Sequence, residues 1–323
     1  MSIFRAYDIR GIYGEELTDE IAYKIGRAFV TFLACKEVII GHDMRDSHKT
    51  LMPALIRGIT QQGANVIKIG LCTTPLFYFA CRNSPAGIMI TASHNPAEYN
   101  GFKLCRENVV SLSGETGIQE IKKLVEKNKF KTPKQKGKET TKNVLNDFVD
   151  FNVAFGKNIA KYKIVFDAGN GMSSYADLPV YKKLGLKVIP LFMKLDGNFP
   201  HRKPDPLKAE NRIFAEQAVK KNKADLGIIT DGDGDRVIFV DETGTSISAD
   251  LIIALLAEHF LKKHKHAMIL YDLRSSKIVK EIIEKHNGKA IESRVGHAYI
   301  KKLMRQLECE RFIIDNRYHC LIR

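Results

Sequence analysis

No stretch of the 323-residue chain approaches the run of about 20 apolar residues that a membrane-spanning helix requires. The start, Met1-Ser2-Ile3-Phe4-Arg5-Ala6-Tyr7-Asp8, has no basic segment leading into an apolar one, so no secretory signal is read there. Cysteine is scarce. The six residues Cys35, Cys72, Cys81, Cys105, Cys309 and Cys320 form no C-x-x-C pair and are too few to staple a chain of this length. These absences predict a cytoplasmic protein with reduced thiols and no membrane partner. Aromatics are nearly missing where the charge is densest. Lys122 to Lys142 holds nine lysines and two glutamates, half of the formal net charge of +14, and Phe130 is its one aromatic. A reader of single-stranded nucleic acid interleaves stacking aromatics with its cations. The tract therefore reads as a solvated basic connector, and no nucleic-acid partner is expected. An overall positive field would favour anionic small molecules.

What the sequence does contain is a recurring pattern. Val38-Ile39-Ile40-Gly41-His42-Asp43, Ile164-Val165-Phe166-Asp167 and Met268-Ile269-Leu270-Tyr271-Asp272 are short apolar runs that end in aspartate. Each reads as a buried strand with a polar residue at its C-terminal edge. Each is followed by a helix-like segment and then a glycine-led second strand, starting at Gly63, Gly185 and Gly288. In the first two units a further apolar run leads into a polar loop: Thr91-Ala92-Ser93-His94-Asn95-Pro96 and Asp231-Gly232-Asp233-Gly234-Asp235-Arg236. The β-α-β order at long period predicts tandem similar α/β domains. Chemistry in open α/β sheets gathers at the carboxyl ends of strands, where both loops fall, so the active site is expected in the cleft between domains. Composition divides the chain into domains at 1–143, 144–247 and 248–323, with Ser248 as a helix N-cap and a Pro-rich irregular segment over 199–206.

Asp231, Asp233 and Asp235 stand at every second position with glycines between them. Carboxylates crowded in this way repel unless a cation neutralises them, and hard oxygen donors suit Mg²⁺ or Ca²⁺. Glu242 occupies the twelfth position counted from Asp231, as in an EF-hand, but Arg236 fills the sixth, where that loop needs glycine, and the loop follows a strand-like run. A plain acidic turn is the remaining alternative. Ser93 lacks the G-x-S-x-G flanks of a hydrolase nucleophile, and Asn95-Pro96 is also a turn signal, which leaves a capping serine open. Together with the aspartates and nearby basic residues, however, the serine hydroxyl completes a set suited to phosphoryl transfer.

Four elements, in this order and at this spacing, resemble the α-D-phosphohexomutases: Phe4-Arg5-Ala6-Tyr7-Asp8-Ile9-Arg10-Gly11, the Ser93 loop, Asp231-Gly232-Asp233-Gly234-Asp235-Arg236, and Val295-Gly296-His297-Ala298-Tyr299-Ile300-Lys301. The resemblance covers the chain to about residue 307, and Thr91 and Gly234 look more like the phosphomannomutase/phosphoglucomutase branch. It implies mixed sheets and a phosphosugar mutase that interconverts hexose 1- and 6-phosphates of mannose or glucose. Ser93 would carry the phosphoryl group and join Asp231, Asp233 and Asp235 around Mg²⁺. Arg10, His94 and Lys103 would line the phosphotransfer site, and Arg236, Arg274 and His297 would meet the substrate.

The sequence departs from the family near its end. The family's G-E-x-S-G-H sugar loop has no counterpart in Phe312-Ile313-Ile314-Asp315-Asn316-Arg317-Tyr318-His319, where Asp315 and His319 stand near the expected acid and histidine. The third domain is therefore expected to be incomplete and the fourth absent, with slow turnover and an exposed sheet edge near Ile313-Ile314. The alternative is a truncated pseudo-enzyme that binds metal and phosphosugar but turns over poorly.

Overall fold

The computed structural model describes residues 3–131, 133–156, 162–307, 313–314 and 320–321. Contacts gather these into two units that interleave along the sequence. The first takes in Met1–Lys161, Ala168–Asp205 and Thr230–Gly234, and the second Tyr162–Asp167, Pro206–Ile229 and Asp235–Arg323.

The first unit is built on a mixed sheet. Its strands are β1 (Ile9–Ile12), β2 (Glu37–His42), β3 (Asn65–Leu71), β4 (Ala86–Ile90), β5 (Tyr99–Arg106), β6 (Val110–Ser111) and β7 (Glu139–Thr141), in the order β1-β5-β4-β2-β3-β7 with β6 on β5. β4, β2, β3 and β7 run parallel, whereas β5 is antiparallel to both β4 and β1. The apolar run of β2 buries both faces. Val38 and Ile40 face one core with Ile88 and Ile90 of β4, while Ile39 and Met89 face another. The first core is closed by α1 (Asp19–Leu33), α2 (His48–Gln61) and Ile121 and Val125 of the later α4 (Gln119–Lys127). The second is closed by α3 (Thr74–Cys81), α5 (Leu145–Val153) and Ala176 of α6 (Ser173–Lys183). Period-two alternation in the strands thus produces helices on both faces. Thr18 caps α1 by accepting from the Ile21 amide, and Asp19 and Glu20 favour its positive end. The lysine tract is more ordered than a connector. It starts within α4 and ends in the exposed edge strand β7, which a sequence pattern without apolar residues does not reveal.

β9 (Lys187–Leu191) also belongs to the first unit. In the second unit β8 (Lys163–Asp167) and β10 (Leu226–Thr230) run parallel, with Ile164 beside Leu226. β11 (Val237–Val240) lies next to β10, and α7 (Ile213–Asn222) places Val219 against Gly227. A further sheet carries β12 (Met268–Asp272) parallel to β13 (Lys289–Ser293). Ile269 and Tyr271 face α8 (Ala249–Lys263) and α9 (Lys277–Lys285), whereas Leu270 faces α10 (His297–Gln306). Ser248 stands at the N-cap of α8 but makes no capping hydrogen bond. The expected open edge at Ile313-Ile314 is not one. Those residues form β14, parallel to β12, and β15 (Cys320–Leu321) returns antiparallel to cover it. A two-residue strand carries too little pattern to be seen beforehand. Asp315 and His319 lie outside the described residues. No described helix is long and apolar enough to cross a membrane.

Candidate active site

The aspartates that end β2, β8 and β12 in the repeated pattern are all fully buried. At the first of them the site begins. The Asp43 amide donates to the Ile90 carbonyl, which places Asp43 beside the exit of β4. There the chain turns through Thr91 to Pro96. Ser93 is 3% exposed and holds φ at 53°, a left-handed conformation that a residue with a Cβ adopts only under constraint. The constraint is visible. Thr91 Oγ1 donates to Asp43 Oδ2 at 2.6 Å and accepts from the Ser93 amide at 2.9 Å. Arg45 donates to four carbonyls of the same loop and its neighbours. Burial pulls the Arg45 guanidinium below its usual range, and Asp43 pushes it back.

The second loop follows β10 and leads into β11, so strands flank it on both sides and the EF-hand is excluded. Asp231, Asp233 and Asp235 each offer a carboxylate oxygen, all within 4.8 Å of one another, and the first two are fully buried. The glycines are sterically required. A Cβ on Gly232 would stand 2.5 Å from the Ser93 carbonyl oxygen, and Gly234 holds φ at 72° with Ser173 Oγ 2.7 Å from where its Cβ would be. The loop is tied down by backbone bonds from Thr74 to the Asp233 carbonyl and from Met172 to the Gly232 carbonyl. An all-oxygen, trianionic, closely convergent donor set fits a hard divalent cation.

Most sequence-predicted residues meet here. Ser93 Oγ donates to Asp231 Oδ2 at 3.0 Å and lies 3.2 Å from Nδ1 of His94. Lys103 is on β5 opposite Met89, and its Nζ reaches Asp233 Oδ2 at 2.5 Å. Arg10, on β1, donates to Asn95 Oδ1 at 2.9 Å and pairs with Asp8. Arg236 is buried just before β11. Arg274 is bound to Asp272 through Nε at 3.3 Å and Nη2 at 2.5 Å and is about one-third exposed. His297 opens α10 after Gly296, whose φ is 127°; its side chain is outside the described set.

Sequence reasoning passed over Asp43, Arg45, Thr74, Thr91 as a ligand of Asp43, and Asn95. Thr74 Oγ1 donates to Asp233 Oδ2 at 2.7 Å and accepts from Lys103 at 3.0 Å. Its signal was available in Thr73-Thr74-Pro75 at the exit of β3, a strand end like the other two.

Comparison with known proteins agrees with this geometry. The chain matches the profiles of phosphoglucomutase/phosphomannomutase alpha/beta/alpha domain I over residues 1–132, domain II over 141–244 and domain III over 248–312. It is 40% identical over 317 residues to a phosphomannomutase of Methanocaldococcus jannaschii, covering 96% of this chain and 70% of that one. It is 40% identical over 309 residues to a phosphoglucomutase of Neisseria gonorrhoeae, covering 94% and 67%. The crystal structure of a phosphoglucomutase/phosphomannomutase family protein from Burkholderia thailandensis superposes with a TM-score of 0.95 at 31% identity, over 99% of this chain and 72% of that one. The chain belongs to the α-D-phosphohexomutase family, in its phosphomannomutase/phosphoglucomutase branch.

Proposed function

We propose that this chain interconverts hexose 1- and 6-phosphates, of mannose or glucose, with Ser93 as the phosphoryl carrier. The observation that supports it most is the strained Ser93, whose Oγ is 3.0 Å from a carboxylate of the three-aspartate loop. In this reading the P–O bond to Ser93 Oγ breaks as a new one forms to the free hydroxyl of the sugar phosphate. The sugar hydroxyl proton passes to a basic side chain of the site. The resulting 1,6-bisphosphate turns over and returns its other phosphate to Ser93, so no nucleotide is consumed.

Asp231, Asp233 and Asp235, with the Ser93 phosphate, would hold Mg²⁺. When bound, the ion would offset negative charge on the transferring group. Lys103, tied to Asp233 and Thr74, holds an ammonium at the same carboxylate. His94 stands within reach of Ser93 Oγ for proton exchange. Arg10, anchored by Asp8 and Asn95, offers a guanidinium to a phosphate oxygen. Arg236, Arg274 and His297 are assigned to the sugar phosphate by family resemblance. The domains of this reading are 1–143, 144–247 and 248–323.

Incubation with glucose 1,6-bisphosphate and Mg²⁺ tests the reading. One phosphate should appear on Ser93, located by mass spectrometry, and Ser93→Ala should take up none. Phosphate mapped to another residue would overturn it.

A further inference from the structure

Every N–H of one buried guanidinium is committed around the Ser93 loop. Arg45 is 1% exposed and lies just past the end of β2. Its Nη1 donates to the carbonyls of Pro96 at 2.5 Å and Tyr99 at 3.0 Å. Its Nη2 donates to those of Ser93 at 3.1 Å and Asn95 at 2.6 Å. Its Nε reaches Asp43 Oδ2 at 3.3 Å. Arginine has five such donors in a fixed planar fork, so its capacity is fully used. The Phe199 ring lies 5.1 Å from Cζ, and Gly197 packs close against the Arg45 backbone, its absent Cβ lying 2.9 Å from the Arg45 Cα.

We propose that Arg45 is a positioning residue: it clamps the carbonyls from Ser93 to Tyr99 and thereby holds Ser93 Oγ in its reactive orientation toward Asp231. This rests on the reading of Ser93 as phosphoryl carrier. The argument is one of cost. Burying a guanidinium sacrifices hydration that an apolar residue of similar size would not need, and left-handed backbone at Ser93 adds a further cost. A loop needed only to join β4 to β5 would require neither. The same Asp-x-Arg spacing recurs at Asp272 and Arg274, and the contrast is informative. There the guanidinium folds back on its own aspartate, and the side chain is 37% exposed. The motif alone does not create a clamp. The clamp exists where a serine loop is present to be held.

The test uses the full chain as wild type, Arg45→Lys and Arg45→Ala. Lysine keeps the charge but has three donors on a flexible stem and cannot serve four carbonyls and a carboxylate at once. Hydrogen exchange of peptides covering residues 91–99 should accelerate about tenfold or more in Arg45→Lys, with peptides of α1 unchanged. The plateau rate of Ser93 phosphorylation from glucose 1,6-bisphosphate should fall about a hundredfold, the cost typical of a small misplacement. Half-saturation should stay within about twofold, because uniform binding is untouched. If Arg45→Ala does not fold, Arg45→Lys carries the result. Loop exchange that ignores the substitution overturns the inference, as does a loss confined to half-saturation or a plateau rate within about threefold of wild type. A wild-type chain that takes up no phosphate on Ser93, but whose loop exchange depends on Arg45, overturns the Ser93 reading and with it the reactive role, and leaves only the clamp of Arg45 on the loop.

Discussion

Asp233 accepts from Thr74 and Lys103 through the same carboxylate oxygen. Asp233→Asn nearly preserves shape and removes one unit of charge. Interactions of charged groups with partners are worth roughly 1.5–3 kcal/mol, and ~1.4 kcal/mol is a tenfold change in affinity. Mg²⁺ affinity measured by titration calorimetry should therefore weaken about ten- to a hundredfold in this variant. Unchanged affinity would mean that Asp233 serves Lys103 and Thr74 and no cation. The residue scale also explains what the sequence could reveal. Three aspartates at alternate positions are an unusual local arrangement, and Ser93 stands in a polar loop at a strand exit, so both are readable along the chain. The Thr74 partner, by contrast, is 159 residues away and the Thr91 partner 48 away. Nothing in composition or periodicity links residues so far apart, and a buried Arg45 looks like any surface cation until its acceptors are placed.

Elements were legible in proportion to how much apolar pattern they carry. Val38-Ile39-Ile40 announces a strand buried on both faces, and the structure sends its alternate residues to the two cores. Glu139–Thr141 is wholly exposed at the sheet edge and carries no such pattern. Helix crossings were equally silent. α1 and α2 come close at Gly26 and Gly58, where an added Cβ on Gly58 would collide with the Tyr23 carbonyl oxygen and one on Gly26 with that of Leu55. Around this contact Tyr23 also bonds Gln61 at 2.5 Å and stacks under Arg57. Gly58→Ala therefore sets two effects against each other. Alanine is better by about 1 kcal/mol in a helix interior, whereas overpacking costs about 1–3 kcal/mol. Because the obstructing atoms are backbone, the second should win. The urea midpoint of the variant should drop by the equivalent of up to about 2 kcal/mol at unchanged slope. A midpoint equal to or above wild type would show that the helices can separate without loss.

At the scale of the whole molecule, the open matter is what a net charge of +14 does for the chemistry. Domain order and the tandem α/β plan were readable because each repeat unit carries its own strand, helix and loop signals, but the sequence does not say where the lysine tract lies relative to the serine loop. Within the first unit the structure does. Gly137 donates to the Thr60 carbonyl, the Val66 amide donates to the Lys138 carbonyl, and a Cβ on Gly63 would meet Pro133. The tract from 133 to 138 thus lies at the entrance of β3, beside its first residues. Ser93 lies beyond the exit of β4, which pairs in parallel with β2 as β2 does with β3. Entrance and exit of the seven-residue β3 are about 20 Å apart at ~3.3 Å per residue. The Debye length at physiological salt is about 8 Å, so these lysines are screened from the reacting serine by more than two such lengths. Replacing Lys131, Lys134, Lys136 and Lys138 by glutamine lowers the formal net charge from +14 to +10. At 0.15 M salt the variant should be phosphorylated on Ser93 within about twofold of wild type. Near 0.01 M, where the Debye length is about 30 Å, a rate deficit should emerge as the field of the tract reaches the loop. A large deficit at physiological salt would instead mean that the tract meets the anionic substrate directly.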